Sequence, residues 1–221
     1  MFSKEELIIL KKLNHPSKIQ DFLNDLKINF ELNGDTCMSP RKVLREGHAH
    51  CMEGAILAAA ILRLHGHKPL IVDLETNDKD YDHAIAVFNK NGFWGALSKT
   101  NHAVLRYREP VYRNIRELAM SFFHEYFLDS NGKKTLRRYS LPVDLSRFDS
   151  KKWMISEEDV WFIPEALCYA KHFDLLTKSQ IASLRKADEI EIKAGSLRQH
   201  LPPKGFIEPL YKKNLMKEFK N

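Results

Sequence analysis

A long apolar segment runs from Cys51 to Leu64 and contains only two charged residues. Apolar or small residues on nearly every side of a helical projection are typical of a helix that is buried on most faces. Gly47 precedes the segment and Gly66 follows it, and a glycine commonly stands just after the last residue of a helix. The pattern therefore predicts a core helix whose N-terminus lies at Cys51 or within one residue of it.

After this predicted core helix the pattern changes to short apolar runs that are separated by polar turns. The runs at 68–75, 83–88 and 93–98 predict three strands. Asn91-Gly92, between the second run and the third, is a strong signal for a hairpin turn. A helix followed by antiparallel strands predicts the α+β class.

Capping patterns predict further helices on both sides of this core. The segments 4–13, 17–27 and 41–45 precede it, with Ser17 and Gln20 as a capping box for the second of them. Asn114, Ser156 and Thr177 begin later helices, and the last of these runs to about residue 195. We interpret residues 133–149 as a connection that crosses the surface. The predicted organisation is a core domain in residues 1–128 and a C-terminal helical extension with a basic tail in residues 129–221.

Composition limits the classes of protein that the chain can represent. Of its 221 residues 43% are hydrophobic, which is enough for a sizeable core. It has no run of eighteen apolar residues and no signal-like first segment, so we expect no membrane partner. Three widely spaced cysteines do not form a disulfide scaffold, which favours a reducing, cytoplasmic location.

The charge is modestly positive, formally +6, and uneven along the chain. Residues 193–221 carry seven Lys or Arg and two Glu, a net +5 that we interpret as a solvated basic end. A second basic group alternates with tyrosines and comprises Arg106, Tyr107, Arg108, Tyr112, Arg113, Arg116, Arg137, Arg138 and Tyr139. Nucleic-acid binding and recognition of an anionic substrate are two interpretations of this group. We expect the arginines to pair with acidic neighbours instead, and predict no nucleic-acid partner.

Cys51 is the candidate nucleophile, because the start of a helix favours a thiolate over a thiol. Such a cysteine needs a base to take its proton, and the base works best when a third group holds its other ring nitrogen. The predicted hairpin supplies His83 at the start of a strand. Backbone N–H groups at the start of the Cys51 helix, including that of Cys51 itself, are candidates to stabilise an oxyanion.

The hairpin pattern predicts which side chains share a face with His83. Two registers are compatible with the turn, and they place His83 opposite Ser98 or opposite Thr100. Since directly opposite residues share one face of a sheet, both registers put both hydroxyls on the His83 face. Asp82 falls on the other face in both registers, where a polar residue of the return strand is its expected partner.

Several features follow one another between residues 36 and 100. They are a short helix, a glycine, a cysteine that opens an alanine-rich helix, a strand that begins with a histidine, and a return strand with a glycine and aromatic residues. The residues are Pro40 to Leu44, Gly47, Cys51, Ala55, Ala59, Leu62-Arg63, Gly66, Asp82-His83-Ala84 and Gly92-Phe93-Trp94. This order resembles the transglutaminase-like (papain-like cysteine) superfamily.

The resemblance implies a transglutaminase-like core with a helix packed on an antiparallel sheet. It also implies that Cys51 and His83 are catalytic and that the substrate is a peptide, amide or acyl compound, which is hydrolysed or whose acyl group is transferred. The family carries an aspartate four residues after the tryptophan, where this chain has Ser98. A serine keeps a hydrogen bond to the histidine but supplies no charge. We expect Ser98 to orient His83 in a slower enzyme; Asn101 in that role, or a catalytically weakened binding module, are the alternatives.

The histidines near Cys51 suggest a second kind of site. His48, His50, Cys51 and His83 offer the N and S ligands that zinc prefers in tetrahedral sites. Their spacing matches no recognised zinc motif, and the histidines after the core helix lie roughly 20 Å away at 1.5 Å per helical residue. The prediction is therefore a site with no metal and no cofactor.

Overall fold

The apolar segment at Cys51 is the central helix of a computed structural model, which describes residues 2–206. The helices are α1 (Lys4–Lys12), α2 (Pro16–Asp25), α3 (Pro40–Glu46), α4 (Cys51–Leu64), α5 (Ile115–Met120), α6 (Phe162–Cys168), α7 (Lys178–Ala182) and α8 (Glu189–Gly195). The strands are β1 (Lys27–Ile28), β2 (His48–Ala49), β3 (Leu70–Thr76), β4 (His83–Lys90), β5 (Phe93–Leu97), β6 (Arg108–Tyr112), β7 (Leu136–Ser140), β8 (Val143–Asp144) and β9 (His172–Asp174). Two 3-10 turns add Phe123–Glu125 and Leu145–Lys151.

Seven strands form one antiparallel sheet in the order β6-β5-β4-β3-β7-β9, and β8 also pairs with β3. β1 and β2 form a separate parallel pair. The α+β class is confirmed. In the β4–β5 hairpin Lys90 lies opposite Phe93, and both Asn91 and Gly92 adopt positive φ angles of 53° and 86°. This is the second of the two predicted registers, because a two-residue turn with positive φ at both positions matches the twist of the strands.

The core consists of two apolar layers, one on each face of the sheet. The α4 layer is lined by Ile71, Ala84, Ala86, Phe88 and Leu97, and every residue of α4 from Glu53 to Leu62 is buried. The opposite layer contains Val72, Leu74, Ile85, Val87 and Ala96 with the buried side of α5. Nearly complete burial explains why α4 has no polar face in the sequence.

Contact between α4 and the end of β5 requires a residue without a side chain. A Cβ atom on Gly54 would lie 2.3 Å from Cβ of Lys99. Lys99 is itself 1% exposed, and its Nζ donates to the carbonyl of Leu26 at 2.5 Å. Gly54 therefore lets the first turn of α4 approach the segment that follows β5.

Several element predictions are wrong. The second helix begins at Pro16 with His15 as its N-cap, since His15 Nδ1 accepts from the backbone N–H of Ser17 at 3.3 Å. The predicted helix from Thr177 to residue 195 is two helices, because residues 183–188 leave the helical path between α7 and α8. The helix predicted at Ser156 begins only at Phe162.

The C-terminal part of the chain contributes strands as well as helices. Residues 133–149, predicted as a surface connection, contain β7, which pairs directly with the central strand β3. β6 was likewise not predicted. The predicted helical extension at 129–221 thus supplies β7, β8 and β9 to the main sheet, and the end of the predicted basic tail, from residue 207, lies outside the described residues.

In β6 and β7, the two strands that were not predicted, arginines of the basic group form ion pairs within the protein. Arg108 binds Glu125 at 2.5 Å, and its guanidinium lies 4.0 Å from the centre of the Phe122 ring. Arg138 binds Glu75 at 3.0 Å. The expectation of acidic neighbours is confirmed for these two arginines. None of the helices in residues 2–206 has the length and apolar character needed to cross a bilayer.

Candidate active site

Cys51 is the first residue of α4, as the sequence predicted. His50 adopts an extended conformation before it and acts as the N-cap, while Glu53 completes a capping box by accepting the backbone N–H of His50 at 3.0 Å. The Cys51 side chain is partly exposed. Its backbone N–H has no hydrogen-bond partner within residues 2–206, as is common in the first turn of a helix.

His50 and His83 both act on the ionisation of the Cys51 thiol. Burial raises the pKa of the thiol, but hydrogen bonds from His50 and His83 and the charges of both rings outweigh burial. The resulting pKa lies well below the usual range for cysteine. The site therefore favours the thiolate more than the surroundings of an ordinary cysteine do.

His83 is held from behind by Ser98. His83 is the first residue of β4 and is 6% exposed, and its Nε2 lies 2.7 Å from Oγ of Ser98. The Ser98 hydroxyl donates its own proton to the carbonyl of Leu105 at 2.5 Å. It must then accept from His83, so Nε2 carries the ring proton, which leaves Nδ1 for Cys51.

The Ser98 backbone is fixed by a side chain from α2. Gln20 accepts from the Ser98 N–H at 3.0 Å and donates to the Ser98 carbonyl at 2.8 Å. The other predicted hydroxyl, that of Thr100, accepts from the backbone N–H of His102 at 3.1 Å. Asn101, the alternative orienter, donates to the carbonyl of His200. Of these three side chains, only Ser98 is in contact with His83.

Asp82 has a different partner from the one predicted. Its Oδ1 accepts from the backbone N–H of Thr76 at 2.7 Å and from the Thr76 hydroxyl at 3.0 Å. Thr76 ends β3, on the side of β4 away from the return strand. The loop between β3 and β4 thus folds back on its own ends and gives Asp82 a partner at the end of β3.

His50 is the residue of this site that the sequence pattern did not assign to catalysis. Its Nε2 lies 3.0 Å from the carbonyl oxygen of Thr36, 3.5 Å from Oε1 of Glu53 and 3.6 Å from Oε1 of Glu31. Burial lowers the pKa of His50, but the Cys51 contact and the two carboxylates outweigh burial and raise it to about 10. The spacing of His50 and Glu53 is that of a capping box, which was the available signal.

The structure does not assemble the alternative zinc site. Within residues 2–206, the group whose potential ligand atoms all lie within 4.8 Å of one another is Asp73, Glu75 and His172. His172 Nε2 lies 3.1 Å from Oδ2 of Asp73, and Arg138 neutralises Glu75. These carboxylates already have cationic partners, so the cluster is an ion-pair network between β3 and β9.

The chain matches neither a model of a known protein family nor a curated protein.

Proposed function

We propose that this protein is a cysteine enzyme of the transglutaminase-like type, which hydrolyses an amide bond or transfers its acyl group. The position of Cys51 at the start of α4, together with a His83 that lowers the pKa of its thiol, is the observation that carries the proposal. Support comes from Ser98, which fixes the tautomer and the direction of the His83 ring. A cytoplasmic location remains part of the proposal, and the cysteines of residues 2–206 are all free thiols.

In the first half of the reaction the Cys51 thiolate attacks the carbonyl carbon of the substrate. The negative charge moves to the carbonyl oxygen, where the free N–H of Cys51 and the N-terminus of α4 stabilise it. Collapse of this intermediate breaks the bond to the leaving amine, and protonated His83 gives that amine its proton. The product is a thioester on Cys51 with a neutral His83.

In the second half His83 acts as a base. It takes a proton from water, or from an acceptor amine, as that nucleophile attacks the thioester carbonyl. Release of the acyl product restores the Cys51 thiolate and protonated His83. Hydrolysis and transfer differ only in the nucleophile that reaches this thioester.

Ser98 determines how strongly the His83 imidazolium is stabilised. A neutral hydrogen bond is roughly half as strong as one to a charged acceptor. Ser98 therefore orients the ring as an aspartate would, but it contributes less to the charged form. We expect turnover to be slower than in an enzyme with a carboxylate at this position.

Alkylation by iodoacetamide as a function of pH, with peptide mass spectrometry to locate the modified cysteine, tests the proposal. We expect fast labelling of Cys51 well below pH 8 and slower labelling in His83→Ala. Cys37 is an internal reference, because burial raises the pKa of its thiol well above the usual range. An ordinary thiol profile at Cys51 would contradict the proposal and favour a binding module.

A substrate screen then separates the two reactions. Activated amides and esters are offered as substrates with and without hydroxylamine. A free acid as the product shows that water attacks the thioester, and a hydroxamate shows that an amine can attack it. Cys51→Ser removes the thiolate but keeps the size of the side chain, so it is the matched control. Activity that survives Cys51→Ser would exclude Cys51 as the nucleophile.

A further inference from the structure

We propose that His50 is a second functional histidine of the Cys51 site, a charged positioning residue that holds Cys51 as a thiolate while His83 moves the proton. The inference rests on the proposed function, since a thiolate matters there only as the nucleophile. His50 is the N-cap that directly precedes Cys51, and His83 is the first residue of β4. Although the two imidazoles belong to different elements, both lower the pKa of the Cys51 thiol.

The two rings differ in what stands behind them. His83 has the neutral hydroxyl of Ser98 at 2.7 Å. His50 has the carboxylates of Glu53 and Glu31 within 3.6 Å of its Nε2, where an extra proton on the ring is favoured electrostatically. The carboxylates that His83 lacks are thus present behind His50.

Glu53 is held in place by several hydrogen-bond donors. It is completely buried and accepts hydrogen bonds from the Thr36 hydroxyl at 2.8 Å, the Met38 N–H at 3.0 Å and the His50 N–H at 3.0 Å. Asn29 adds a fourth at 3.1 Å. These four donors fix the orientation of the Glu53 side chain, so its position behind His50 is preorganised.

The ring of His50 has a place for its second proton. Its Nε2 faces the carbonyl oxygen of Thr36, which only accepts, so Nε2 carries a hydrogen. Its Nδ1 accepts the Met52 N–H at 3.2 Å, a distance at the outer limit for such bonds. In the charged form a proton on Nδ1 replaces this long bond, and the Cys51 side chain is a hydrogen-bond partner of the ring.

In this arrangement the roles of the two histidines do not overlap. His50 keeps both ring protons through the cycle, because its carboxylate partners never leave it. The proton that goes to the leaving group and returns from the nucleophile passes only through His83. His50 therefore acts on the charge of Cys51 and takes no part in bond breaking.

His50→Asn tests this role, because asparagine removes the charge and its side-chain oxygen can cap the start of α4, so the helix is kept. We expect the alkylation rate of Cys51 at pH 6 to fall at least about tenfold, equivalent to one pKa unit. The rate at high pH, where every thiol is ionised, should be unchanged. His48→Asn is the matched control, since the His48 ring points to the Glu46 carbonyl at 3.2 Å.

Glu31→Gln provides a second, milder variant. Its oxygen can still accept the Thr36 N–H, a bond of 2.8 Å, while one negative charge behind His50 is lost. We expect a smaller shift of the alkylation profile in the same direction. This variant decides the question if His50→Asn does not fold, as checked by circular dichroism.

Three outcomes separate the inference from the proposed function. A profile that shifts in His50→Asn or Glu31→Gln, and not in His48→Asn, supports the inference. Profiles identical to the wild type in both variants overturn it and leave Cys51 and His83 intact as a pair. An ordinary thiol profile in the wild type itself overturns the proposed function.

Discussion

Ser98 accepts a hydrogen bond from His83 and passes its own proton to the carbonyl of Leu105, at 2.7 Å and 2.5 Å respectively. The order of donors is fixed, since a carbonyl only accepts. An aspartate at this position would place a carboxylate against the Leu105 carbonyl, and the two acceptors would repel each other. The loop that presents Leu105 therefore suits a hydroxyl, and the serine fits its surroundings.

Ser98→Ala should reduce turnover without preventing the formation of the thiolate. Loss of the acceptor leaves the His83 Nε2–H buried and unpaired, at a cost of about 1–3 kcal/mol, or roughly 10- to 100-fold in kcat/KM. Thr100→Ala is the control, because that hydroxyl contacts His102. Steady-state kinetics on whichever substrate the screen identifies measure the effect; equal losses in both variants would contradict an orienting role.

Gln20→Leu should destabilise the fold and disturb the site together. It leaves both the N–H and the carbonyl of Ser98 buried without partners, at about 1–3 kcal/mol each. Urea denaturation should show a loss of about 2–4 kcal/mol, and Cys51 labelling should slow. The exposed Gln180→Leu should cost about 1 kcal/mol or less. A stable Gln20→Leu protein would show that α2 does not hold Ser98.

Gly54→Ala should destabilise the protein, although helix propensity alone predicts that it stabilises. In an exposed helix the change would stabilise by about 1 kcal/mol. Here the new Cβ would lie 2.3 Å from Cβ of Lys99, so crowding should destabilise by about 1–3 kcal/mol. Thermal unfolding measures the change in stability. A lowered Tm is expected, and a raised Tm would mean that α4 can move away from the end of β5.

His172→Gln should destabilise the protein more at pH 6 than at pH 9. Burial lowers the pKa of His172, but the hydrogen bond and charge of Asp73 outweigh burial and raise it. A raised pKa in the folded state gives a contribution that is complete below about pH 6.5 and is lost as the pH rises through the folded value.

Urea denaturation of His172→Gln and the wild type at both pH values measures this difference. His124→Gln, at an exposed position, is the control and should change the free energy of unfolding equally at pH 6 and pH 9. An equal loss at pH 6 and pH 9 in His172→Gln would show that the pair with Asp73 carries no charge-dependent stability.

The sequence predicts the features that depend on residues close together in the chain. The α4 helix, the β4–β5 hairpin and the position of Ser98 follow from apolar periodicity and one turn signal. β6 and β7 were missed because their arginines depend on distant acidic partners, Glu125 for Arg108 and Glu75 for Arg138. No local pattern shows that a charged strand will find such partners.

His50 was missed for a different reason. Histidine is not among the preferred N-cap residues, so the capping-box spacing of His50 and Glu53 was a weak signal in the sequence. Its environment comes from Glu31 and Thr36, which precede it by more than ten residues, and from Glu53 in the next turn. Only the tertiary structure brings two carboxylates and a carbonyl behind one ring.

The position of β3 between β4 and β7 has a consequence for the growing polypeptide on the ribosome. β4 follows β3 after a short loop, whereas β7 is made about sixty residues later and β9 later still. Until then one side of β3 exposes unpaired N–H and carbonyl groups, which is a template for association with other chains. The nascent protein thus carries Cys51 and His83 on an incomplete sheet until β7 and β8 pair with that open edge.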